Sequence, residues 1–310
     1  MAVETTDMTD EIERLKTARK AIILAHNYQL PEVQEVADVV GDSLGLSRRA
    51  ASADAEVVVF CGVRFMAETA SILCPDRTVL LPNEDAGCAM VDMAPVQELR
   101  KLKDEHPDAA VVTYVNSSAE MKAESDYCCT SANAVQVVES VPEDRDIIFL
   151  PDRNLGSYVQ EQTGRDLILS DAYCPTHTRI MAEDIDRLRQ AIPGAEVMVH
   201  PECRPEVREL ADHVESTGGM CRRAAESDAE EMIVGTELGM AYRLRQDNPH
   251  KRFYIISEAA ICPDMKQIDQ PMIARSLREM QHQVQVPDDI RTRAEQAVHR
   301  MVEAADEREQ

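Results

Sequence analysis

The chain has 310 residues with a hydrophobic share of 44%, which is enough to bury the cores of two or three domains. Its 57 Asp and Glu outweigh 33 Lys and Arg, giving a formal net charge of −24. This charge argues against binding to nucleic acid or to an anionic membrane surface. Seven Lys against 26 Arg in so acidic a chain favour a halophilic protein of a high-salt cytoplasm.

The chain lacks the features of exported and membrane-spanning proteins. Residues 1–20 contain no apolar segment typical of a signal peptide. No apolar run approaches the ~20 residues that a membrane span needs. We therefore expect a cytoplasmic protein, in which nine Cys are reduced, buried or metal-bound rather than disulfide-linked.

The first set of predicted elements begins with an apolar run at residues 21–25, which ends at His26. Further apolar runs cover residues 56–61 and 78–81. Continuous Val, Ile and Leu runs of this length are typical of parallel strands that are buried on both faces. Residues 31–40 have apolar side chains at helical spacing and are predicted as a crossover helix, so the set predicts a β-α-β-α-β unit.

The same order of elements recurs twice along the chain. The predicted strands of the later sets are residues 109–113, 146–150 and 166–169, and then 195–199, 231–235 and 252–256. Residues 133–141 are predicted as a crossover helix of the second set. The amphipathic tail, residues 271–305, is predicted to be helical and to pack back on the first unit.

Three side-chain markers repeat with a nearly constant period. The residues at the first strand ends lie 88 and 86 residues apart, a hydroxyl follows each by 17 residues, and a loop cysteine follows each by 60–62 residues. The markers are His26, Tyr114 and His200, then Ser43, Ser131 and Thr217, then Cys88, Cys174 and Cys262. The chain is therefore predicted to be an internal triplication.

The triplication predicts an α/β fold of three pseudo-symmetric αβα sandwich units around a central active-site cavity. The predicted first unit is residues 1–86 together with 264–310, which includes the C-terminal helix. The second unit is residues 87–172 and the third is residues 173–263.

The repeated hydroxyls suggest how the cavity binds ligands. Ligands bind outside the carboxyl ends of parallel strands, where the three strand-end residues are expected. A hydroxyl at a helix start lies beside outward-pointing backbone N–H groups, which together form an anion site. Alternatively, each hydroxyl is an ordinary helix N-cap that contributes about 1 kcal/mol of stability.

The three repeated cysteines are candidate metal ligands. They could hold zinc together with a fourth ligand, or three corners of a 4Fe–4S cluster. The chain contains no C-x-x-C pair, and widely spaced single cysteines favour a cluster between domains. Three thiolates leave one iron open to act as a Lewis acid on a substrate oxygen, as a hydro-lyase requires. The other six cysteines are expected to be small buried hydrophobes.

Across residues 20–270 the chain resembles the quinolinate synthases, the A proteins of de novo NAD biosynthesis. The motifs that carry the resemblance are AHNYQ at 25–29, GDSL at 41–44, YVNSSAE at 114–120, TSANA at 130–134, PDRNLG at 151–156, HPEC at 200–203 and CPDMK at 262–266. The resemblance implies a triangular arrangement of three domains around one 4Fe–4S cluster. It also implies condensation of iminoaspartate with dihydroxyacetone phosphate to quinolinate, with loss of phosphate and two waters.

The resemblance assigns residues as well as a reaction. It implies that the cluster ligands are Cys88, Cys174 and Cys262. It implies that the substrate-binding residues are His26, Ser43, Tyr114, Asn116, Ser131, His200, Glu202 and Thr217. Two departures from the family pattern are Gly218, where Ser is common, and the lack of a cysteine cluster after Cys262.

Tyr28 and Glu202 are the candidates for general acid–base steps, and His200, like His26, for proton transfer or hydrogen bonding near neutral pH. Desolvation is expected to raise the pKa of Glu202. Alternatively, Glu202 is a carboxylate that stabilises a helix start, and Tyr28 is a core aromatic residue.

Other functions remain open on the residues alone. They are another cluster-dependent hydro-lyase on a small carboxylate, a non-enzymatic iron–sulfur sensor, and a zinc aldolase using His26, His177 and His200. Because iminoaspartate is unstable, transient coupling to an aspartate-oxidising enzyme is a further expectation.

Overall fold

The computed structural model describes the backbone of residues 2–304 and the side chains of residues 8–304. It contains twelve strands in three parallel sheets of four. The strands are β1 (Ala21–His26), β2 (Val39–Gly41), β3 (Val57–Cys61), β4 (Thr78–Leu80), β5 (Ala110–Tyr114), β6 (Tyr127–Cys129), β7 (Ile147–Leu150), β8 (Leu167–Leu169), β9 (Glu196–Val199), β10 (His213–Val214), β11 (Glu231–Gly235) and β12 (Arg252–Ile255).

The helices cross between the strands and cover the sheets. They are α1 (Ala2–Arg19), α2 (Pro31–Val36), α3 (Ser43–Ser52), α4 (Arg64–Leu73), α5 (Ala89–Met93), α6 (Val96–Glu105), α7 (Ala119–Ala123), α8 (Ala134–Glu139), α9 (Arg153–Thr163), α10 (Ala182–Ala191), α11 (Pro205–Arg208), α12 (Thr217–Glu226), α13 (Met240–Asp247), α14 (Gln270–Glu279) and α15 (Asp288–Glu303). Short 3-10 turns lie at His177–Arg179 and Asp264–Lys266. No helix among the described residues is both long and apolar enough to cross a bilayer.

The three sheets share one strand order, and this confirms the predicted triplication. The orders are β2-β1-β3-β4, β6-β5-β7-β8 and β10-β9-β11-β12, and every pairing is parallel. The central strands are buried, as their continuous apolar runs predict, except that the first residue of β1, β9 and β11 is half-buried; every residue of β3 is buried.

Each sheet has a fourth strand that the sequence analysis did not predict. The helix predicted over residues 31–40 ends at Val36, and Val39–Gly41 forms the edge strand β2. β6 and β10 are the equivalent edges of the other sheets. These strands contain two or three residues and pair on one side only, so their apolar pattern is too short to identify a strand.

The C-terminal tail forms two helices rather than one. α14 packs on α1 and also contacts α2 and β3 of the first sheet layer. α15 instead lies between two units, because it contacts α4 and α3 on one side and α7 and β6 on the other. Asn133 donates a hydrogen bond to the carbonyl of Met301 in α15 over 2.8 Å. The tail therefore contacts both the first and the second unit, whereas it was predicted to pack on the first unit.

The apolar core is continuous across the three units. One large cluster runs through the first two sheets and the tail, where it includes Phe60 and Phe149, and extends to Met198, Met232 and Val234 of the third sheet. A smaller cluster lies at the third sheet and includes Val197, Ile233 and Ile256. The bounds proposed above for the three units stay a prediction.

Candidate active site

The carboxyl ends of the central strands meet at a small cavity of about 50 Å³. All nine residues predicted to bind substrate or move protons line it, together with Asp42, Phe65, Thr130 and Met265. The nine are His26, Tyr28, Ser43, Tyr114, Asn116, Ser131, His200, Glu202 and Thr217. Each of the three units contributes to this lining, so the cavity exists only where the units meet.

Two of the three repeated hydroxyls lie directly at helix starts. Ser43 and Thr217 are the first residues of α3 and α12, and the capping side chains are those of the preceding residues, Asp42 and Ser216. The N-cap alternative is therefore wrong at these positions. The Thr217 hydroxyl accepts a hydrogen bond from the side-chain amide of Asn27 over 3.0 Å, which leaves its own proton to donate. Ser131 differs, because it lies in the turn before α8, whose N-cap position is Asn133.

A buried chain of polar side chains runs behind the cavity wall. The hydroxyls of Tyr28 and Thr236 are 2.5 Å apart, and Thr236 Oγ1 is 2.9 Å from Nε2 of His177. The other ring nitrogen of His177 lies 2.6 Å from Oε2 of Glu202. Because an ionised carboxylate only accepts hydrogen bonds, Nδ1 of His177 carries the proton and Nε2 accepts from Thr236. The ring of His177 also stacks on His200, with centroids 4.5 Å apart.

The pKa values of the ionisable groups in the cavity depend on both burial and neighbouring side chains. Burial alone would raise the pKa of Glu202, but the facing His177 and His200 and hydrogen bonds from His177 and Tyr114 lower it. The expectation of a raised pKa for Glu202 was therefore wrong. Burial lowers the pKa of His26 and of His200 to about 3, so both rings are neutral near pH 7 rather than ready to titrate.

Burial also raises the pKa values of Tyr28 and Tyr114 well above the usual value for tyrosine, and the charge of Glu202 adds to this rise. Both hydroxyls therefore keep their protons and act as hydrogen-bond donors. Among the residues that line the cavity, two have a buried oxygen without a hydrogen-bond partner in the described part of the chain, namely Asn116 at Oδ1 and Glu202 at Oε1. A ligand with N–H or O–H groups would satisfy them.

The three repeated cysteines lie in equivalent loops. The residue two before each cysteine accepts a backbone hydrogen bond from the start of the preceding helical segment, through the pairs Arg64–Ala86, Arg153–Ala172 and Leu238–Ala260. The backbone N–H three residues after each cysteine donates towards its thiol, from Val91, His177 and Met265. Such N–H donors favour the thiolate form, which is the form that binds metals.

The thiols also affect one another. Burial raises the pKa of Cys88 to about 12, and the negative charge of Cys262 adds to this rise. The charge of Cys88 in turn adds to the rise at Cys174, where burial is again the main cause. Three buried thiols that resist ionisation alone are compatible with a bound metal centre, which would supply the missing positive charge.

The loops differ in one respect. The backbone N–H of Cys174 donates to Oδ2 of Asp152 over 3.0 Å, and that of Cys262 donates to Oε1 of Glu237 over 3.1 Å. In the first unit, Val63 occupies the equivalent position before α4 and offers no carboxylate. The three loops thus share the same backbone hydrogen bonds but differ in the acidic side chain behind the cysteine N–H group. At Asp152, burial raises the pKa of the carboxyl well above its usual value.

A second ligand set overlaps this one. The ligand atoms of Cys174, His177 and Glu202 lie within 4.8 Å of one another. Thiolate, imidazole and carboxylate together suit a single zinc ion as well as iron. His177 was considered above only as one of three histidines of an aldolase.

Besides the four further lining residues named above, the sequence analysis did not assign a role to three residues behind the site, Asp152, Thr236 and Glu237. All three are fully buried and follow the second strand of their unit. Their signal in the sequence is a polar residue directly after a buried strand, the same signal that marks the ends of the first strands. Glu237 also pairs with Lys266 over 3.0 Å, and Lys266 donates to the carbonyl oxygen of Tyr28.

The fold and the site define a class of protein, a triplicated α/β protein with one polar cavity shared by its three units and three thiols in equivalent loops beside it. The family model described as quinolinate synthetase A protein matches residues 10–303. The chain belongs to this family.

Curated relatives agree over almost the whole chain. A protein named quinolinate synthase from Dehalococcoides mccartyi strain CBDB1 is 56% identical over 95% of this chain and 97% of its own. One of the same name from Geotalea uraniireducens is 55% identical over 96% of this chain and 97% of its own. One from the archaeon Methanosarcina barkeri is 50% identical over 97% of this chain and 98% of its own.

Proposed function

We propose that this chain is a quinolinate synthase, which condenses iminoaspartate with dihydroxyacetone phosphate to quinolinate and releases phosphate and water. The observation that carries the proposal is the convergence of the nine predicted residues on one cavity. The family membership and the relatives named quinolinate synthase support the same reaction.

The residues that would hold a 4Fe–4S cluster are Cys88, Cys174 and Cys262, whose loops provide N–H donors for three thiolates. When bound through three thiolates, such a cluster supplies a Lewis acid for the oxygen lost in dehydration. Reduced thiols of this kind favour a reducing compartment, and we place the reaction in the cytoplasm.

The substrates are held by uncharged donors. Within the described part of the chain no Lys or Arg lines the cavity, although the proposed substrates carry two negative charges each. The hydroxyls of Ser43 and Thr217 lie at the positive ends of ten-residue helices, which favour anionic groups. Ser131 and the neutral rings of His26 and His200 add further hydrogen bonds. The unpaired oxygens of Asn116 and Glu202 would accept hydrogen bonds from the substrate N–H and O–H groups.

The buried polar chain lets Tyr28 move a proton. Its hydroxyl donates to Thr236, and Thr236 donates to Nε2 of His177. As a substrate proton passes to the Tyr28 oxygen, the Tyr28 proton moves to Thr236 and that of Thr236 to Nε2 of His177, so that Tyr28 acts as a base without ionising and the Glu202 carboxylate stabilises the charged ring. Return of the protons makes Tyr28 an acid. Tyr28 is thus the group that exchanges protons with the substrate, and Glu202 acts through His177.

An anaerobic assay tests the reaction. The reconstituted protein is mixed with iminoaspartate, generated in the same vessel by an aspartate-oxidising enzyme, with or without dihydroxyacetone phosphate. Quinolinate is measured by chromatography. We expect quinolinate only when the triose phosphate is present. An intact cluster without quinolinate would refute the proposal and favour another hydro-lyase acting on a small carboxylate.

The set of Cys174, His177 and Glu202 supports one second candidate, a zinc enzyme. Metal analysis of the purified protein separates the two. About four iron atoms and four sulfides per chain support the cluster, whereas one zinc and no iron support the alternative.

A further inference from the structure

A second and larger cavity, of about 830 Å³, adjoins the first. We call it the vestibule. It shares Asp42 with the inner cavity, and its other residues include Ala132 and Gly218, which adjoin Ser131 and Thr217 in sequence. No residue of the inner lining is exposed, whereas the vestibule includes the exposed Gly45. The vestibule therefore opens to solvent at Gly45 and borders the inner cavity at Asp42.

The charge of the vestibule is opposite to that of the chain. Its lining contains three arginines, Arg48, Arg222 and Arg243, against the single carboxylate of Asp42. This is a local formal charge of +2 on a chain whose net charge is −24. A strongly negative protein repels anions in solution, and a local positive lining reverses that effect at short range.

The three arginines are held differently. Nε of Arg243 pairs with Asp247 over 2.6 Å, and a terminal nitrogen of Arg48 donates to the carbonyl of Val302 over 3.2 Å. Arg222 is exposed and forms neither an ion pair nor a hydrogen bond within the described residues. Arg222 thus keeps its full set of donors for an anion, and an arginine can grip a phosphate through two parallel hydrogen bonds.

Gly218 marks the passage between the two cavities. A Cβ atom at this position would lie 2.5 Å from Oδ2 of Asp42 and 3.7 Å from a terminal nitrogen of Arg222. The carboxylate and the guanidinium therefore face each other across Gly218, one residue from Thr217 of the inner cavity. A serine here, as is common in the family pattern described above, would displace Asp42, and the glycine keeps this passage in its present shape.

We propose that the vestibule captures phosphate-bearing dianions before they enter the inner cavity, with Arg222 as the principal binding residue. This inference rests on the proposed function, because a triose phosphate is the substrate it would capture. It assigns the arginines to the vestibule and the uncharged donors to the inner cavity, so that a dianion is attracted first and desolvated afterwards. The phosphate released by the reaction would leave along the same path.

Calorimetric titration with inorganic phosphate tests the binding directly on the cluster-loaded protein. The variants are Arg222→Gln and, as a matched control, Arg275→Gln, which removes an exposed arginine of α14 outside both cavities. We expect phosphate to bind at least about fivefold more weakly to Arg222→Gln and unchanged to Arg275→Gln. Equal affinity in the wild type and Arg222→Gln would overturn the proposal.

Kinetics provide the second arm. In Arg222→Gln the KM for dihydroxyacetone phosphate should rise about fivefold, kcat should fall less than twofold, and added salt should affect kcat/KM less than in the wild type. An unchanged KM and salt dependence would also overturn the proposal. If the wild type forms no quinolinate, the proposed function fails, and the phosphate titration still decides the vestibule.

Discussion

Replacing Thr236 by Val tests the buried polar chain with almost no change in side-chain volume. The fully buried hydroxyl of Thr236 contacts Tyr28 at 2.5 Å and His177 at 2.9 Å, and without it only a 3.3 Å contact joins Tyr28 to His177. Two hydrogen bonds at about 1 kcal/mol each, and partners left partly unpaired, predict a loss of about 2–4 kcal/mol of stability. Interruption of the proton path predicts a fall in kcat of about a hundredfold or more.

The assay measures quinolinate formed per assembled cluster, together with Tm from circular dichroism and iron content. Thr69→Val is the matched control, because Thr69 is also fully buried and its hydroxyl donates to the carbonyl of Phe65 within α4. The control should lose about 1 kcal/mol of stability without loss of kcat. Thr236→Ser restores the hydroxyl and should recover most of the rate. A Thr236→Val protein with normal cluster content and more than half of wild-type kcat would refute the proton path.

The remaining predictions concern the cluster, Glu202 and pH. Cys88→Ser should lose most bound iron and its visible absorbance, whereas Cys221→Ser, at a partly exposed cysteine outside the three loops, should keep both; equal iron in the two would contradict the ligand set. Glu202→Gln should lower kcat at least about a hundredfold and leave cluster content nearly unchanged, and full activity would remove it from the mechanism. The pKa of His26 and of His200 is lowered to about 3 on folding from an unfolded value near 6.5, so the unfolded chain binds more protons below that value. Urea unfolding at steps from pH 7.5 to 5 should therefore show full stability above about pH 6.5 and a loss approaching roughly 1.4 kcal/mol per pH unit for each histidine below it, and a flat profile would disprove their burial as neutral rings.

The repeat could be predicted from sequence because its markers are single residues at a fixed period. His26, Tyr114 and His200 end buried strands, and a parallel sheet collects such ends on one side. Short edge strands such as Val39–Gly41 could not be predicted, because three residues carry no periodicity and the pairing that defines them is with a distant strand.

The pKa shifts of the site residues were harder to predict from the sequence than the identity of those residues. The pKa of Glu202 is lowered because His177, which lies in the loop after another strand, points a ring nitrogen at it from 2.6 Å. Burial can be inferred from a local sequence, but the partner of a buried charge is fixed by tertiary structure. Thr236 was missed for a related reason, since its role depends on Tyr28 and His177, which lie far from it in sequence.

Only two of the three cysteine loops have an acidic residue behind them, and this difference is possible because the three units belong to one chain. In a ring of three identical subunits, an acid behind one thiol would stand behind all three, and every ligand would have the same electronic character. Here one covalent chain places Asp152 and Glu237 behind two loops and Val63 behind the third. Each loop can therefore change on its own, and a threefold backbone can support a centre whose three corners are chemically distinct.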